Sequence, residues 1–408
     1  MSLLVLSGSD VDTVASTLSP DDLQLLMAQV FIRLSDSSAR EGSVVMPPRI
    51  SIPTAHHTAL FMPARLGLHL QEPPPSHAAQ ASTRLGDTAI KVVCVPRQND
   101  SRGLPATTLI LDEETGVAKA VVNARKLTAL RNSAGSLLST SLVGPSKPQT
   151  LVAFGAGQQI ESHLDLHIRH FPSITQCIVV NRTANNRAIS LREKLISRFS
   201  HVQISLLASN TSNISSSDRG SQHDNESSRI QLAVKSADII ICATSSTTPL
   251  FPSSWVKNGT HIILIGSYTP SMREVDKSLV QRAIGSFKSL DGENSASNFP
   301  VLLVDSREAC SHEAGELIDA GVSPEQMTEL GQLIPKDENG NLALKSFYKL
   351  LDAEKPRVSE DLYDGPITMF KSVGIGLQDV AIATAIVDKS FSLEKKIGTI
   401  IIDYDTKW

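Results

Sequence analysis

The chain has 408 residues, of which 41% are hydrophobic and 20% are charged, and its formal net charge is −4. This length and apolar content predict a globular protein of two domains with ample core. The mild negative balance gives no electrostatic footprint for nucleic acid, and no apolar run is long enough to cross a membrane.

The four cysteines are scattered with no Cys-x-x-Cys pair, which is typical of a reducing compartment. The apolar stretch of residues 3–6 is too short for a signal peptide and lacks a basic flank. We therefore expect a cytoplasmic protein with no nucleic-acid or membrane partner and no metal site.

The first part of the chain predicts an α+β domain. Ser19 and Pro20 begin an amphipathic helix, because serine caps free N–H groups and proline fits a first turn. Between residues 43 and 122 the pattern changes to short β-rich segments, which indicates a mostly antiparallel sheet. The predicted strands are residues 44–46, 59–62, 89–95, 107–111 and 118–122, with a proline-rich loop at 71–77. A helix with small residues, 126–142, follows, and we expect it to bridge the two domains.

The second part alternates strands with helices, which predicts a parallel, doubly wound sheet. Its predicted strands are residues 151–154, 176–180, 202–206, 238–242, 261–265 and 301–304. A helix is expected at 187–199, and polar loops are expected at 208–230 and 289–299. A further helix at 377–390 and a final strand at 397–403 close the chain.

A glycine-containing turn follows the strand at 151–154, and a helix opens behind it. Such a turn lets the backbone approach a pyrophosphate and directs helix N–H groups at it. The third position of the G-x-G-x-x-G/A fingerprint holds Ile160, so a simple structural turn remains the alternative. We interpret the turn as a dinucleotide site. The residues expected to contact the pyrophosphate are Gly155, Ala156, Gly157, Gln158 and Gln159.

The end of the next strand bears on the choice of dinucleotide. A cofactor that lacks the 2′-phosphate usually meets an aspartate or glutamate at this point. This chain instead offers Asn181, Arg182, Thr183 and Asn186, which can donate to a phosphate. NADP(H) is therefore favoured over NAD(H). The alternative is that Arg182 and the following Arg187 are solvated surface charges.

Ten segments in the same order make the chain resemble the ornithine cyclodeaminase/μ-crystallin family. They are VVMPPR (44–49), FMPA (61–64), IKVV (90–93), KLTALRNSAGSL (126–137), FGAGQQIESH (154–163), VNRT (180–183), GSYTPSMREVD (266–276), VDSREA (304–309), EAGEL (313–317) and FKSVG (370–374). The resemblance implies an α/β protein in which a Rossmann NAD(P)-binding domain, 131–360, lies between two parts of an α+β substrate-binding and dimerisation domain, 1–130 and 361–408. It also implies a homodimer.

The resemblance places Arg49, Lys91 and Arg131 in a substrate pocket, where arginine would fork a carboxylate. Lys91 lies in an apolar strand, where a lysine is costly unless it is paired or functional; a solvent-facing position is the alternative. Glu313 matches a family acid near the substrate, with a helix N-terminal carboxylate as the alternative. The implied cofactor contacts outside the glycine turn and the 181–186 stretch are Thr107, Thr244, Ser245, Ser267, Val373 and Gly374.

One departure separates the activities within the family. True cyclodeaminases carry an aspartate two residues after the glycine that corresponds to Gly266, and this chain has Tyr268 there. A tyrosine is neutral at pH 7 and cannot act as that carboxylate base, although its hydroxyl could donate to a substrate nitrogen or its ring could pack against the nicotinamide.

We therefore predict an NADPH-dependent oxidoreductase that reduces a small cyclic ketimine or 2-oxo or imino acid carrying a carboxylate. The alternatives are an NAD-dependent ornithine cyclodeaminase, which converts ornithine to proline and ammonia, and a non-enzymatic NADPH or small-ligand binding protein of the μ-crystallin type.

Overall fold

The computed structural model describes residues 2–36, 44–67, 86–97, 103–209, 219–284, 302–353, 363 and 366–405. The strands in these ranges are β1 (Leu3–Leu6), β2 (Val44–Val45), β3 (Ile50–Pro53), β4 (His57–Gly67), β5 (Gly86–Pro96), β6 (Ala106–Leu111), β7 (Ala118–Asn123), β8 (Thr150–Phe154), β9 (Gln176–Asn181), β10 (Gln203–Ala208), β11 (Ile239–Cys242), β12 (His261–Leu264), β13 (Leu302–Val304), β14 (Thr328–Glu329), β15 (Thr368–Lys371) and β16 (Thr399–Ile401). The α-helices are α1 (Gly8–Ala15), α2 (Pro20–Leu34), α3 (Leu127–Val143), α4 (Gln158–His170), α5 (Asn186–Arg198), α6 (Arg219–Ser236), α7 (Lys277–Ile284), α8 (Arg307–Glu313), α9 (Gly315–Asp319), α10 (Leu344–Leu351) and α11 (Gly376–Ser392). Across the described ranges, none of the helices has the length and apolar character that crossing a membrane requires.

The chain divides into two compact units. The first unit comprises Met1–Arg131, Lys336–Leu342 and Gly374–Trp408, and the second comprises Asn132–Pro335 and Ala343–Val373. The boundaries therefore fall at 131/132, inside α3, at 335/336, at 342/343 and at 373/374, just after β15.

The first unit is built on a sheet with the strand order β16-β1-β7-β6-β5-β4-β2, and β3 pairs with β4. Apart from the parallel pair β1–β7, its neighbours are antiparallel, which confirms the expected sheet type. Helix α11 packs against β4, β5 and β6 and also contacts α2. Every second residue of β5 from Ala89 to Val93 is buried, so this strand presents one of its faces to the core.

Local sequence signals set several boundaries in the first unit, but the first strand was missed. The side chain of Ser19 accepts a hydrogen bond from the Asp22 N–H and Pro20 is the first residue of α2, as the sequence predicted. Strand β1, by contrast, is the stretch treated above only as a short apolar patch. It is a strand because it pairs with β7 on one side and β16 on the other, and these partners lie far away in the chain.

The second unit contains a sheet of eight parallel strands in the order β10-β9-β8-β11-β12-β15-β13-β14. The chain adds β9 and β10 on one side of β8 and then β11 and β12 on the other, so the strand order reverses at β8/β11. In open α/β sheets, ligands bind outside the carboxyl ends of the strands at such a switch point. The doubly wound fold expected from the sequence is confirmed.

Two expectations for the second unit need correction. The predicted polar loop at 208–230 contains the helix α6, in which Ile230, Ala233 and Val234 recur at helical spacing and are buried. The serine- and asparagine-rich stretch before them concealed this pattern. Strand β15 was also missed, because its partners β12 and β13 come from earlier in the chain. The expected loops at 71–77 and 289–299 lie outside the described residues.

A row of hydrogen-bonded polar side chains joins α3 to α4. Ser136 Oγ lies 2.9 Å from His163 Nε2, and Thr140 Oγ1 lies 3.0 Å from His167 Nε2. His261 on β12 continues the row, since its ring contacts Ser139 Oγ at 3.2 Å. The three imidazoles are fully buried. The small residues predicted to allow close packing of α3 thus also supply hydroxyl partners.

Candidate active site

The two glycines of the turn after β8 are required for different reasons. Gly155 has φ +113°, and a Cβ placed on it would lie 2.9 Å from the Ala243 carbonyl oxygen. A side chain at this position is therefore excluded by both backbone conformation and space. A Cβ on Gly157 would meet nothing within 4 Å, so the turn leaves open space at this point.

The same turn opens α4 without a side-chain cap. Gly157 is the N-cap residue and makes no capping bond, so the first N–H groups of this 13-residue helix have no side-chain partner from the cap. Gln159 Oε1 is buried and has no hydrogen-bond partner in the described residues. Ala156 is buried and Gln158 is exposed. The uncapped helix start and the open space at Gly157 fit the pyrophosphate of a dinucleotide, because its oxygens accept hydrogen bonds from helix N–H groups.

The carboxyl end of β9 lies beside this turn, since β9 pairs with β8. Asn181 Nδ2 donates to the Thr183 carbonyl oxygen at 2.8 Å, and Asn185 caps α5, a role that the sequence analysis missed. Arg182 and Asn186 are exposed, and no described residue forms a hydrogen bond or ion pair with the Arg182 guanidinium. Residues 181–187 include no carboxylate that could pair with Arg182, so its guanidinium is available at the end of the strand.

Glu274 ties the ends of β11 and β12 together. Its Oε1 accepts hydrogen bonds from the Thr244 N–H (2.6 Å) and hydroxyl (2.8 Å), and its Oε2 accepts one from the Gly266 N–H (2.8 Å). A Cβ on Gly266 would lie 1.9 Å from the Thr244 carbonyl oxygen, so the strand ends can approach only with glycine there. Ser245 and Tyr268 extend from these ends and are exposed, the tyrosine by 38%.

A buried lysine braces the same strand ends. Lys371 Nζ lies 2.8 Å from Glu316 Oε1 and donates to the Ser267 carbonyl oxygen at 2.5 Å. Burial acts to lower the pKa of Lys371, but the carboxylates of Glu316 and Glu274 outweigh it and raise the pKa. Burial, followed by repulsion from Glu316, raises the pKa of Glu274 to about 7 against the attraction of Lys371. The sequence analysis missed this cluster, although a lysine inside a buried strand is a detectable signal.

The remaining predicted residues of the second unit lie at element ends. Glu313 is half-buried; it is the last residue of α8 and directly precedes Ala314, the N-cap residue of α9. Val373 is half-buried and follows β15. No group of three or more metal-ligating side chains occurs among the described residues. The roles of Glu313 and Val373 stay predictions.

In the first unit, Lys91 and Arg131 share one carboxylate. Lys91 Nζ lies 2.7 Å from Asp379 Oδ2, and Arg131 Nε lies 3.0 Å from Asp379 Oδ1. All three side chains are at most 5% exposed, so the solvent-facing alternative for Lys91 is wrong. Arg131 Nη1 also donates to Gln378 Oε1 at 2.9 Å, and Lys91 Nζ donates to Thr128 Oγ1 at 3.3 Å.

The pKa of Lys91 depends on its neighbours, and one of them is Arg49, the third predicted cation. Burial lowers the pKa of Lys91 to about 8; Asp379 opposes this shift, while repulsion from Arg131 and Arg49 adds to it. Arg49 is half-buried just before β3 and is close enough to influence Lys91. Two of the three cations expected to bind substrate, Lys91 and Arg131, therefore meet at Asp379, and Arg49 belongs to the same unit.

Gly374 and Thr107, both predicted to contact cofactor, have different surroundings. Gly374 has φ +84°, and a Cβ on it would lie 2.7 Å and 2.8 Å from the terminal nitrogens of Arg131. The absence of a side chain at Gly374 therefore makes room for the guanidinium. Thr107 is exposed and pairs with Val92, whereas Lys91 pairs with the buried Thr108. Thr107 thus lies on the face of the sheet opposite to Lys91, and its role stays a prediction.

Comparison with known proteins identifies relatives along nearly the whole chain. The mouse (Mus musculus) protein named ketimine reductase mu-crystallin is 28% identical over 357 residues, which cover 86% of this chain and 87% of the relative. A Δ(1)-pyrroline-2-carboxylate reductase of Bacillus cereus is 25% identical over 361 residues, covering 87% of this chain and 88% of the relative.

Solved structures share the fold. The Thermococcus litoralis Δ(1)-pyrroline-2-carboxylate reductase in complex with NADH and L-proline matches with a TM-score of 0.69 and 21% identity, over 97% of this chain and 99% of that one. The iminosuccinate reductase of Paracoccus denitrificans in complex with NAD⁺ matches with a TM-score of 0.67 and 20% identity, over 98% and 99%. The model of the ornithine cyclodeaminase/mu-crystallin family matches residues 14–218 and 225–335. The chain belongs to the ornithine cyclodeaminase/mu-crystallin family.

Proposed function

We propose that this chain is an NADPH-dependent reductase that converts a small cyclic ketimine or 2-imino acid into the corresponding amino acid. The observation that carries the proposal is the pair of buried cations, Lys91 and Arg131, that meet at the carboxylate of Asp379, with Arg49 close enough to lower the pKa of Lys91. A buried guanidinium and a buried ammonium are the donors that a substrate carboxylate would accept from. The mouse and Bacillus cereus relatives, whose names specify reduction of a ketimine and of pyrroline-2-carboxylate, support the substrate class.

Each side chain in the cation group has a chemical role in the proposal. The two arginines bind the substrate carboxylate, because a guanidinium offers paired donors to both oxygens. Lys91, whose pKa is about 8, is mostly charged at neutral pH and still acidic enough to give its proton to the imine nitrogen. It then regains a proton from water. The bound reduced nicotinamide supplies the hydride that the imine carbon accepts.

The second unit would hold the dinucleotide. The pyrophosphate would lie at the start of α4, held by Gly155, Ala156, Gly157, Gln158 and Gln159. Thr244, Ser245 and Ser267 stand at the carboxyl ends of β11 and β12, where the fold binds ligands. Tyr268 and Glu313 stay candidates for contact with substrate.

We favour NADPH over NADH because the Arg182 guanidinium is exposed and has no partner among the described residues. It would meet the 2′-phosphate together with Asn181, Thr183 and Asn186. An Arg182→Ala variant should raise KM for NADPH about tenfold, which is the size expected for one lost charge-assisted contact, and leave KM for NADH unchanged. Arg192→Ala, further along α5, is the matched control. Equal effects on both cofactors would contradict the preference.

The decisive experiment follows NADPH absorbance with Δ1-pyrroline-2-carboxylate and Δ1-piperideine-2-carboxylate as substrates. Formation of proline and pipecolate, lost in an Arg131→Ala variant, is the expected result. Absence of turnover with any 2-imino or 2-oxo acid would overturn the proposal. Ammonia release from ornithine with catalytic NAD⁺ would instead identify a cyclodeaminase that works despite Tyr268, and NADPH binding without either reaction would identify a binding protein.

A homodimer through the first unit is also proposed. Ile50 and Ile52 on β3 are 58% and 48% exposed, and they pair with Phe61 and Ala59 on β4. An apolar row of this kind on a sheet face is typical of a protein interface. Ile52→Lys should therefore lower the mass measured by sedimentation to that of a monomer. Leu232→Lys, which changes a more exposed leucine (65%) on α6, should leave the mass unchanged, and a wild-type monomer would exclude the dimer.

A cytoplasmic location is proposed on the cysteine chemistry. Cys94, Cys177, Cys242 and Cys310 are all free thiols, which a reducing compartment preserves. A fluorescent fusion of the full chain should distribute through the cytoplasm, and accumulation in an organelle would contradict the proposal.

A further inference from the structure

Helix α11 carries two neighbouring polar residues in an otherwise apolar surrounding. Gln378 and Asp379 are 1% and 3% exposed and lie in the first turn of a helix whose following residues are almost all buried. Burying an amide and a carboxylate is costly unless each is hydrogen-bonded. Both side chains contact Arg131.

The contacts of Asp379 join two other elements of the first unit. One carboxylate oxygen lies 2.7 Å from Lys91 on β5, and the other lies 3.0 Å from Arg131 on α3. Gln378 holds Arg131 at two further points, because its Oε1 accepts from Nη1 at 2.9 Å and its Nε2 donates to the Arg131 carbonyl oxygen at 3.3 Å. The two cations are thus fixed in direction as well as in position.

We propose that Asp379, assisted by Gln378, is a positioning residue that prepares Lys91 and Arg131 for the imino acid before it binds. The inference rests on the proposed function, since it concerns the same reduction. The Asp379 carboxylate separates two buried cations that would otherwise repel each other, and it keeps Lys91 in the protonated form that gives up the proton. Holding the acid and the carboxylate fork in place beforehand removes an ordering cost from the reaction.

The composition of the group argues against a purely stabilising role. Buried ion pairs are often no more stable than apolar residues of the same size, and here two buried cations share one anion. Such an arrangement draws two cations to one point in the interior. Placing an ammonium and a guanidinium together is costly for folding and useful for binding a carboxylate.

The charged groups around Lys91 determine what an Asp379→Asn variant should do. Asp379 on α11 favours the charged lysine, whereas burial, Arg131 on α3 and Arg49 before β3 disfavour it. The variant keeps the shape of the side chain and removes the one favourable charge. The alkaline limb of the kcat profile should therefore move to lower pH by about 1–2 units, within the usual influence of one close charge.

The first test measures kcat and KM across pH for Asp379→Asn. We expect kcat within about twofold of the wild type at about pH 6, a loss of about five- to fiftyfold at about pH 8, and a raised KM because Arg131 is no longer fixed. Asp379→Glu should restore the limb, and Asp388→Asn, on the exposed side of the same helix, should change nothing. A loss of kcat that is equal at every pH would show a structural role only and overturn the proposal.

The second test does not require activity. Lysine labelled at Cε is incorporated, the Lys91 signal is assigned with a Lys91→Arg variant, and its titration is followed by NMR. The midpoint should lie near 8 in the wild type and lower in Asp379→Asn. If no imine is reduced but this shift is seen, the proposed function fails while the charge coupling stands. An unchanged midpoint overturns the inference, whatever the activity.

Discussion

Lys91 in the first unit and Lys371 in the second are both lysines buried in a strand, yet their pKa values move in opposite directions. Lys91 shares one carboxylate with Arg131, so burial prevails and its pKa falls to about 8. Lys371 faces the carboxylates of Glu316 and Glu274, which outweigh burial and raise its pKa. The sign of the local charge excess, rather than burial itself, decides the direction.

The clusters around Lys91 and Lys371 also differ in what their carboxylates contact. In the second unit, the extra carboxylate of Glu274 accepts three hydrogen bonds from Thr244 and Gly266. The chain itself supplies the hydrogen-bond donors of this cluster, and the cluster braces the ends of β11 and β12. In the first unit, the carboxylate of Asp379 is shared by the ammonium of Lys91 and the guanidinium of Arg131. The comparison sets a cluster that braces two strand ends against the cluster that we propose binds the substrate carboxylate.

The largest expected effect comes from making the same substitution in both clusters. Lys371→Met leaves two buried carboxylates without their cation and should cost about 3–5 kcal/mol of unfolding free energy. Lys91→Met leaves Asp379 paired with Arg131, so it should cost less than about 2 kcal/mol while abolishing imine reduction. Guanidinium denaturation measures both, and equal losses would remove the distinction between the clusters.

Removing the carboxylate fork should affect activity next most strongly. Arg131→Ala should lower kcat/KM about 10²–10³-fold, as expected when one partner of a buried charge contact is truncated. Arg131→Lys keeps the positive charge but loses the paired donors, so its loss should be roughly tenfold. If lysine proved as harmful as alanine, the positive charge would not be what binds the substrate.

The second unit should be the more sensitive to acid, because its buried histidines are neutral. Burial is the main cause that lowers the pKa of His163 to about 4 and those of His167 and His261 to about 3. Unfolded histidine titrates near 6.5, so their stabilisation is complete above pH 6.5 and is lost as pH falls toward 3. Each contributes about 1.4 kcal/mol per pH unit in this window.

Glu274 changes stability with pH in the direction opposite to the histidines. Its raised pKa gives stability that is complete below about pH 4.5 and is lost as pH rises through about 7. Three histidines outnumber this one acid, so the net slope of stability against pH should be positive between about pH 5 and 6.5. Denaturation at several pH values should show a smaller slope for His167→Gln. A slope unchanged in that variant would contradict the assignment.

The smallest effect concerns the glycine beside Arg131. Gly374→Ala should raise KM about tenfold, because its Cβ would displace the guanidinium. Gly116 is the matched control in the same unit: it also has positive φ, but a Cβ there would meet nothing within 4 Å. Gly116→Ala should therefore share the backbone strain and leave KM unchanged. If both variants raised KM alike, strain rather than contact with Arg131 would explain it.

The sequence predicted those features that depend on neighbours along the chain. The apolar run of β8, the glycine turn and the start of α4 follow one another within a few residues, and so do Ser19, Pro20 and the start of α2. The alternation of strands and helices indicated the doubly wound sheet for the same reason. The cations Arg49, Lys91 and Arg131 were identified through the family resemblance, and the structure brings Lys91 and Arg131 together at Asp379.

The features that the sequence analysis missed depend on partners far away in the chain. β1 and β15 are strands because distant strands flank them, and a short apolar run alone does not reveal that pairing. Asp379 became a candidate only when the structure placed it against Arg131, 248 residues earlier.

Sequence alone thus determined the Rossmann sheet, the glycine turn and the types of residue available for chemistry, because periodicity and backbone preference are local properties. Only the tertiary structure decided which charges share a low-dielectric interior and in what ratio. The pKa of each buried lysine depends on that ratio, and the ratio is set by elements that meet only when the chain is folded.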